Sequence, residues 1–193
     1  HFVSLNSNRS DRSVKEAMME WLKKDLALTE AGWLIAYWHH APYSKGRRDS
    51  DTERAMLDTR PGFMPILEER GVDLVISGHA HLYARSMLID GAYDTPMTAE
   101  GVVLDAGDGD PTGDGPYRKP EGLTPHRGTV AVVAGMGGVS LDLPLPAPVM
   151  KRAIAEFGSL IIDIDGSRMT GRMIAADGKV KDTFAIVKGE ERR

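Results

Sequence analysis

Cysteine is absent from this 193-residue chain, which excludes disulfides and thiolate metal sites and is compatible with any redox compartment. Long apolar runs are missing too: none approaches the ~20 residues a membrane-spanning helix needs. There is no basic excess, since 24 Lys plus Arg stand against 28 Asp plus Glu for a formal net charge of -4. That balance argues against a partner gripped through a nucleic-acid phosphate backbone. Internal repeats and low-complexity tracts are lacking, so repeat architectures are excluded. What is present is enough chain for a single domain with a sizeable core, and six histidines.

The chain alternates short apolar runs with amphipathic stretches. His1 to Asn6 alternates like a strand, and because domains seldom begin inside a strand the chain is expected to be the carboxy-terminal piece of a longer polypeptide. Ser13-Val14-Lys15-Glu16 has capping-box form, and Val14, Ala17, Met18, Trp21, Leu22 and Leu26 make a helical stripe in which Trp21 reads as core. Gly32 ends that helix, and Trp33 to Trp38 reads as a buried strand. Ser50-Asp51-Thr52-Glu53 is a second capping box, opening a helix that Pro61-Gly62 should interrupt before Phe63 to Arg70 resumes it. Thr129 to Ala134 is a further strand. Ser159 to Asp165, Met169 to Ile174 and Val180 to Val187, punctuated by Gly166-Ser167 and Asp177-Gly178, predict a closing meander and then a charged tail.

Two loop regions invite functional readings that fail. Four aspartates between Asp105 and Asp114 suggest calcium, but the spacing is not that of an EF-hand loop and turn chemistry explains it better. The glycines at 135, 137 and 138 follow a strand as a nucleotide loop would, yet Pro144, Pro146 and Pro148 forbid the helix that should come next. Close backbone approach is the better account of those glycines.

The chemistry converges on Val72 to Arg85. Leu74 to Ile76 reads as a strand buried on both faces, and just beyond it stand His79 and His81. In extended backbone residues i and i+2 share a side ~6.6 Å apart. Such a pair can chelate one ion, or each imidazole can reach a different member of a metal pair ~3.5–4 Å apart. Spacing alone leaves both open. A second strand also ends in histidines, at His39 and His40, and ligands gather beyond the carboxyl ends of strands in open α/β sheets. His39 meets the later pair only if the two strands are parallel neighbours.

Gly78-His79-Ala80-His81-Leu82-Tyr83-Ala84-Arg85 resembles the Gly-His-x-His-x-Tyr-x-Arg signature of calcineurin-like metallophosphoesterases of the purple acid phosphatase branch, with Ala84 where that family usually has Glu. His39-His40-Ala41-Pro42-Tyr43-Ser44 resembles the family's His-x-Pro metal motif; aligned by its Tyr-Ser end it makes His39 the ligand, with an adjacent-position swap to His40 open. The resemblance implies an α/β fold that is part of a two-sheet β-sandwich flanked by helices and ending in a meander. It implies metal-dependent hydrolysis of a phosphate ester, with two Fe, Zn or Mn ions held in part by His39, His79 and His81. By position in that motif and the loop after it, His40 is a candidate proton donor to the leaving oxygen, and Arg48 and Tyr43 are candidates for substrate contact. A histidine often found near Arg48 in the family is absent. So are the Gly-Asp-x-x-Tyr and Gly-Asn-His-Glu motifs of the family's amino-terminal half, which supply its carboxylate ligands. The implied partners are therefore a phosphate ester and that missing half of the domain; the alternative is a non-catalytic, metal-binding or structural module.

Overall fold

Helical and extended stretches alternate so that each helix returns the chain to the same end of one sheet, as parallel pairing requires. The computed structural model describes residues 1–8, 12–138 and 140–189. Strand β1 (Phe2–Ser4) leads through helix α1 (Arg12–Leu28) to β2 (Ile35–His40), and helix α2 (Arg54–Glu69) leads on to β3 (Leu74–Gly78). Phe2 pairs with Ile35 and Ile35 with Leu74, both in parallel ladders. Strand β8 (Val130–Ala134) extends the parallel set beside β3, while β4 (Tyr83–Ser86) and β9 (Met150–Ile154) close the sheet antiparallel, giving the order β1-β2-β3-β8-β4-β9. A ribbon of β5 (Leu88–Ile89) and β6 (Val103–Asp105) stands apart. The second sheet runs β10-β11-β12-β7, from Gly158–Asp165, Arg168–Ala175, Val180–Lys188 and Tyr117–Lys119 respectively. Its first three strands are the expected meander.

Side chains alternate across the six-stranded sheet, and both faces are covered. Ala36, Trp38 and Val75 pack with Leu22, Leu26, Phe63 and Leu67 of the helices. Ile35, Leu74, Val130 and Val132 pack with Met169, Met173, Phe184 and Ile186 of the second sheet. Burial on both faces is why these strands read as unbroken apolar runs. The architecture is thus the expected α/β sandwich of two sheets flanked by helices.

Buried charge ties the two sheets together. Register places Lys119 beside Lys188 on neighbouring strands β7 and β12. Both ammonium groups reach Asp73, with Nζ to Oδ1 at 2.7 Å and Nζ to Oδ2 at 2.8 Å, and all three side chains are essentially without solvent contact. A second tie uses the Tyr-x-Arg end of the histidine motif: Tyr83 donates to Asp182 at 2.6 Å, and Arg85 grips the same carboxylate through Nε at 2.6 Å and Nη2 at 3.0 Å. Tyr83 and Arg85 therefore hold sheet to sheet.

Three local expectations are corrected. Helix α2 runs unbroken through Pro61 and Pro65, because Met56, Thr59, Arg60, Phe63, Met64 and Leu67 form one buried face across both prolines and packing outweighs local propensity. Trp21 is 48% exposed rather than core, since Leu22 and Leu26 occupy the part of the stripe that meets the sheet. The second capping box does not form: Glu53 is the N-cap residue with no side-chain cap bond, and the Ser50 hydroxyl turns back to Ser44. The side chains of Ser13 and Val14 in the first capping box, and the tail beyond Gly189, lie outside the described residues. The aspartate loop is turn chemistry as read, with Asp105, Asp108 and Asp110 each accepting the backbone N–H two residues on.

Candidate metal centre

Strands β2 and β3 are parallel neighbours, so both end at the same edge of the sheet, and His40 pairs in register with Gly78. The register slips between Tyr37 and His40. An extra residue in a ladder turns one side chain away from strict alternation, so His39 and His40 do not diverge as adjacent strand residues would. Their ring centroids lie 4.9 Å apart, and those of His79 lie 5.0 Å from His39 and 4.6 Å from His40. One ligating atom from each of these rings falls within 4.8 Å of the others.

His79 reaches this point through a backbone turn. It sits at φ 67, a left-handed conformation uncommon for a side-chain-bearing residue. Ala80 N–H then donates to Gly78 O at 2.8 Å and Leu82 N–H to Ala80 O at 2.9 Å. The extended reading of His79-Ala80-His81 is corrected by this turn. His81 does not join the His39, His40 and His79 set. Its Nδ1 lies 3.5 Å from the Ser140 hydroxyl, and its backbone is pinned by Asp142, which accepts from His81 N–H at 2.9 Å and donates its own N–H to His81 O at 2.8 Å. The glycines after β8 make room: a Cβ at Gly135 would stand 1.9 Å from Ala80 O, and one at Gly138 would stand 3.3 Å from the His81 ring. Close approach thus accounts for Gly135 and bears on Gly138, whereas nothing crowds Gly137.

Neighbouring groups orient the rings. His79 Nε2 lies 2.5 Å from Glu53 Oε1, leaving Nδ1 to face His39 Nε2 at 3.1 Å. His40 Nδ1 contacts the Ser7 hydroxyl at 2.9 Å, which also accepts His40 N–H at 3.0 Å, so Nε2 is its outward atom. A carboxylate or hydroxyl behind an imidazole is the usual support of a metal-ligating histidine. Burial, followed by the neighbouring His79, lowers the pKa of both His39 and His40, which favours the neutral form that binds metal. Two nitrogens on one tetrahedral ion lie ~3.3 Å apart, from bonds of about 2.0–2.1 Å, so the spacing of His39 and His79 suits a single ion. The oxygen donors that a second, adjacent cation requires are not gathered here: among the described residues no Asp or Glu joins the three-histidine set.

Of the substrate candidates, Arg48 lies at the site. Its side chain is 39% exposed, and Nη1 lies 3.6 Å from Glu53 Oε2. Tyr43 is corrected: it is fully buried in the core with helix α2, beneath Arg60 at 5.7 Å, and offers nothing to a substrate. Pro42 and the Arg60 side chain, whose Nε donates to Pro42 O at 2.9 Å, turn this residue inward. Glu53, Ser7 and Asp142 were not foreseen as parts of the site. Glu53 carried a signal only as a cap, while Ser7 and Asp142 lie 33 and 61 residues from the histidines they hold and carried none.

Residues 1–83 match the calcineurin-like phosphoesterase family. Purple acid phosphatase 15 of Arabidopsis thaliana is 33% identical over 93 residues, spanning 45% of this chain and 16% of that protein. An uncharacterized protein of Mycobacterium tuberculosis is 30% identical over 150 residues, spanning 73% of this chain and 25% of that protein. The chain therefore spans a quarter or less of the length of these relatives. Among solved structures, a purple acid phosphatase from yellow lupin seeds superposes with a TM-score of 0.65 at 20% identity, over 97% of this chain and 31% of the lupin chain. GAP50, the anchor in the inner membrane complex of Plasmodium, gives 0.64 at 15% identity, over 99% and 50%.

Proposed function

From a chain whose first 83 residues match the calcineurin-like phosphoesterases and whose fold is that of a purple acid phosphatase, we propose that this site hydrolyses phosphate esters with bound metal. The observation that carries the reading is the convergence of His39, His40 and His79 at the ends of two parallel strands, with Glu53 and Ser7 supporting the rings. These three imidazoles would hold one divalent cation, and His81, outside that set, would be left to serve a second. His40 then serves as a ligand tethered by Ser7, not as the free proton donor expected from its position. A two-ion site would need carboxylates that no described residue adds to the three-histidine set, so this reading takes them from the rest of the native polypeptide, and Zn, Mn or Fe would fit the mixed donor set. When bound, such ions bring the pKa of a water towards 7 and stabilise the phosphoryl oxygens under attack.

The chain's own residues prepare the rest. Glu53 fixes the His79 tautomer so that Nδ1 faces the site. Arg48, loosely paired with Glu53, has guanidinium donors available to fork onto a phosphate. Replacing Arg48 with alanine should raise KM for an aryl phosphate about tenfold or more, the worth of a charge-assisted hydrogen bond, with Arg48→Lys recovering part. An unchanged KM would remove Arg48 from the substrate's path.

The direct test is hydrolysis of p-nitrophenyl phosphate in Zn-, Mn- or Fe-replete samples of this chain and of the native polypeptide that carries it. The native polypeptide should turn over and the 193 residues alone should be nearly inert. Metal-loaded native polypeptide without turnover supports instead the anchor-like, non-catalytic role, and rapid turnover by the isolated chain would contradict the external carboxylates.

A further inference from the structure

At the far end of α2 from the histidines stands a second group of ligating side chains. Helix α2 presents Glu53 to His79 at its start, and Glu68 lies fifteen residues on, about 22 Å along the axis. Glu68, Asp90 and His126 each offer a ligating atom within 4.8 Å of the others. His126 Nδ1 is 3.1 Å from Asp90 Oδ2, and its Nε2 is 3.0 Å from Glu69 Oε2. The His126 backbone N–H donates to Glu68 O at 3.1 Å, which fixes the ring over the helix end.

The internal contacts do not satisfy this group. Glu68 is 1% exposed, and its Oε2 is taken by Gly91 N–H at 2.9 Å and by the Tyr93 hydroxyl. Its Oε1 is buried without a partner. Among the described residues no Lys or Arg forms an ion pair with Glu68 or Asp90. An unpaired buried carboxylate beside a second carboxylate is costly unless a positive charge or a proton joins them. Three acids stand around one imidazole, so a protonated His126 leaves the group short of positive charge.

We propose that Glu68, Asp90 and His126, with Glu69 at the rim, form a second divalent cation site separate from the histidine centre. Carboxylates with one imidazole select Zn2+ or Mn2+ over Ca2+, which prefers an all-oxygen shell. A cleft of about 570 Å³ adjoins the group at its rim, lined in part by Glu69, Arg70 and Pro125. A cation here clips the end of α2 to the segments carrying Asp90 and His126. It thereby steadies the helix whose other end presents Glu53.

The test separates the two centres by working in a His79→Ala background, where the first is disabled. Thermal unfolding should shift upward by roughly 5–10 °C with Zn2+ or Mn2+ at a hundredfold excess over Kd, and much less with Ca2+. Glu68→Gln and Asp90→Asn should abolish that shift without lowering the metal-free Tm, because each keeps an oxygen acceptor for the existing hydrogen bonds and removes only surplus negative charge. Should these variants fail to fold, Mn2+ should still broaden the His126 ring-proton resonances of the His79→Ala protein. Metal stabilisation undiminished in the Glu68 and Asp90 variants, or no shift and no broadening at His126, would overturn the site.

Discussion

Replacing Asp73 with alanine should lower the unfolding free energy by about 3–5 kcal/mol, because it strands two buried ammonium groups at once. Lys119 and Lys188 are 4% exposed each, and their carboxylate partner has no exposure. Burial already lowers the pKa of both lysines, and Asp73 is the first influence opposing it. Asp73 also accepts the Leu34 backbone N–H at 2.9 Å, so the substitution leaves a buried donor at the entry to β2. Such a loss is a large share of the roughly 5–15 kcal/mol that holds a domain folded. In urea the midpoint should fall by more than about 1 M, with Asp73→Asn in between because it retains an acceptor for Leu34. A change below about 1 kcal/mol would show that the lysines reach water by another route, and the sheet-to-sheet tie would not be what the geometry indicates.

The second large effect concerns the histidines, and it tests the assignment of His79 and His81 to different ions. Loss of a group that merely orients a ligand costs about 10–100-fold in metal affinity or activity. Loss of the ligand itself should cost more. In the native polypeptide, His79→Ala should therefore cut aryl phosphate turnover by at least about a hundredfold and release the ion held with His39 and His40. His81→Ala should release only the other ion, leaving one metal equivalent bound. Metal content by elemental analysis separates the cases. Retention of both equivalents by His81→Ala would return His81 to a structural role, and full turnover by His79→Ala would end the hydrolytic reading. Glu53→Gln is the finer probe: it keeps an acceptor for His79 Nε2 while removing charge.

How much of this was legible in advance differs by residue. The strands at Ile35–His40 and Leu74–Gly78 announced themselves because burial on both faces demands unbroken apolar runs. Their histidines were visible because the chemistry of a strand end is local, and Gly135 pointed to close approach because only glycine fits there. Helix α2 was misread at Pro61: proline's local cost is evident in sequence, whereas the buried face that offsets it is assembled from partners far along the chain. The Tyr43 misreading has the same origin, since a tyrosine near a metal motif looks substrate-facing until the core claims it.

What the sequence by itself determined is the list of parts: two histidine-bearing strand ends, the helical stretch between them, and the closing meander. Only the tertiary structure decided which imidazoles meet. A slipped register at His40 and a left-handed turn at His79 grouped residue 40 with 39 and 79 and left residue 81 outside that set. Both depend on pairing between strands, and a ladder's register is a property of two segments at once, which neither segment encodes alone.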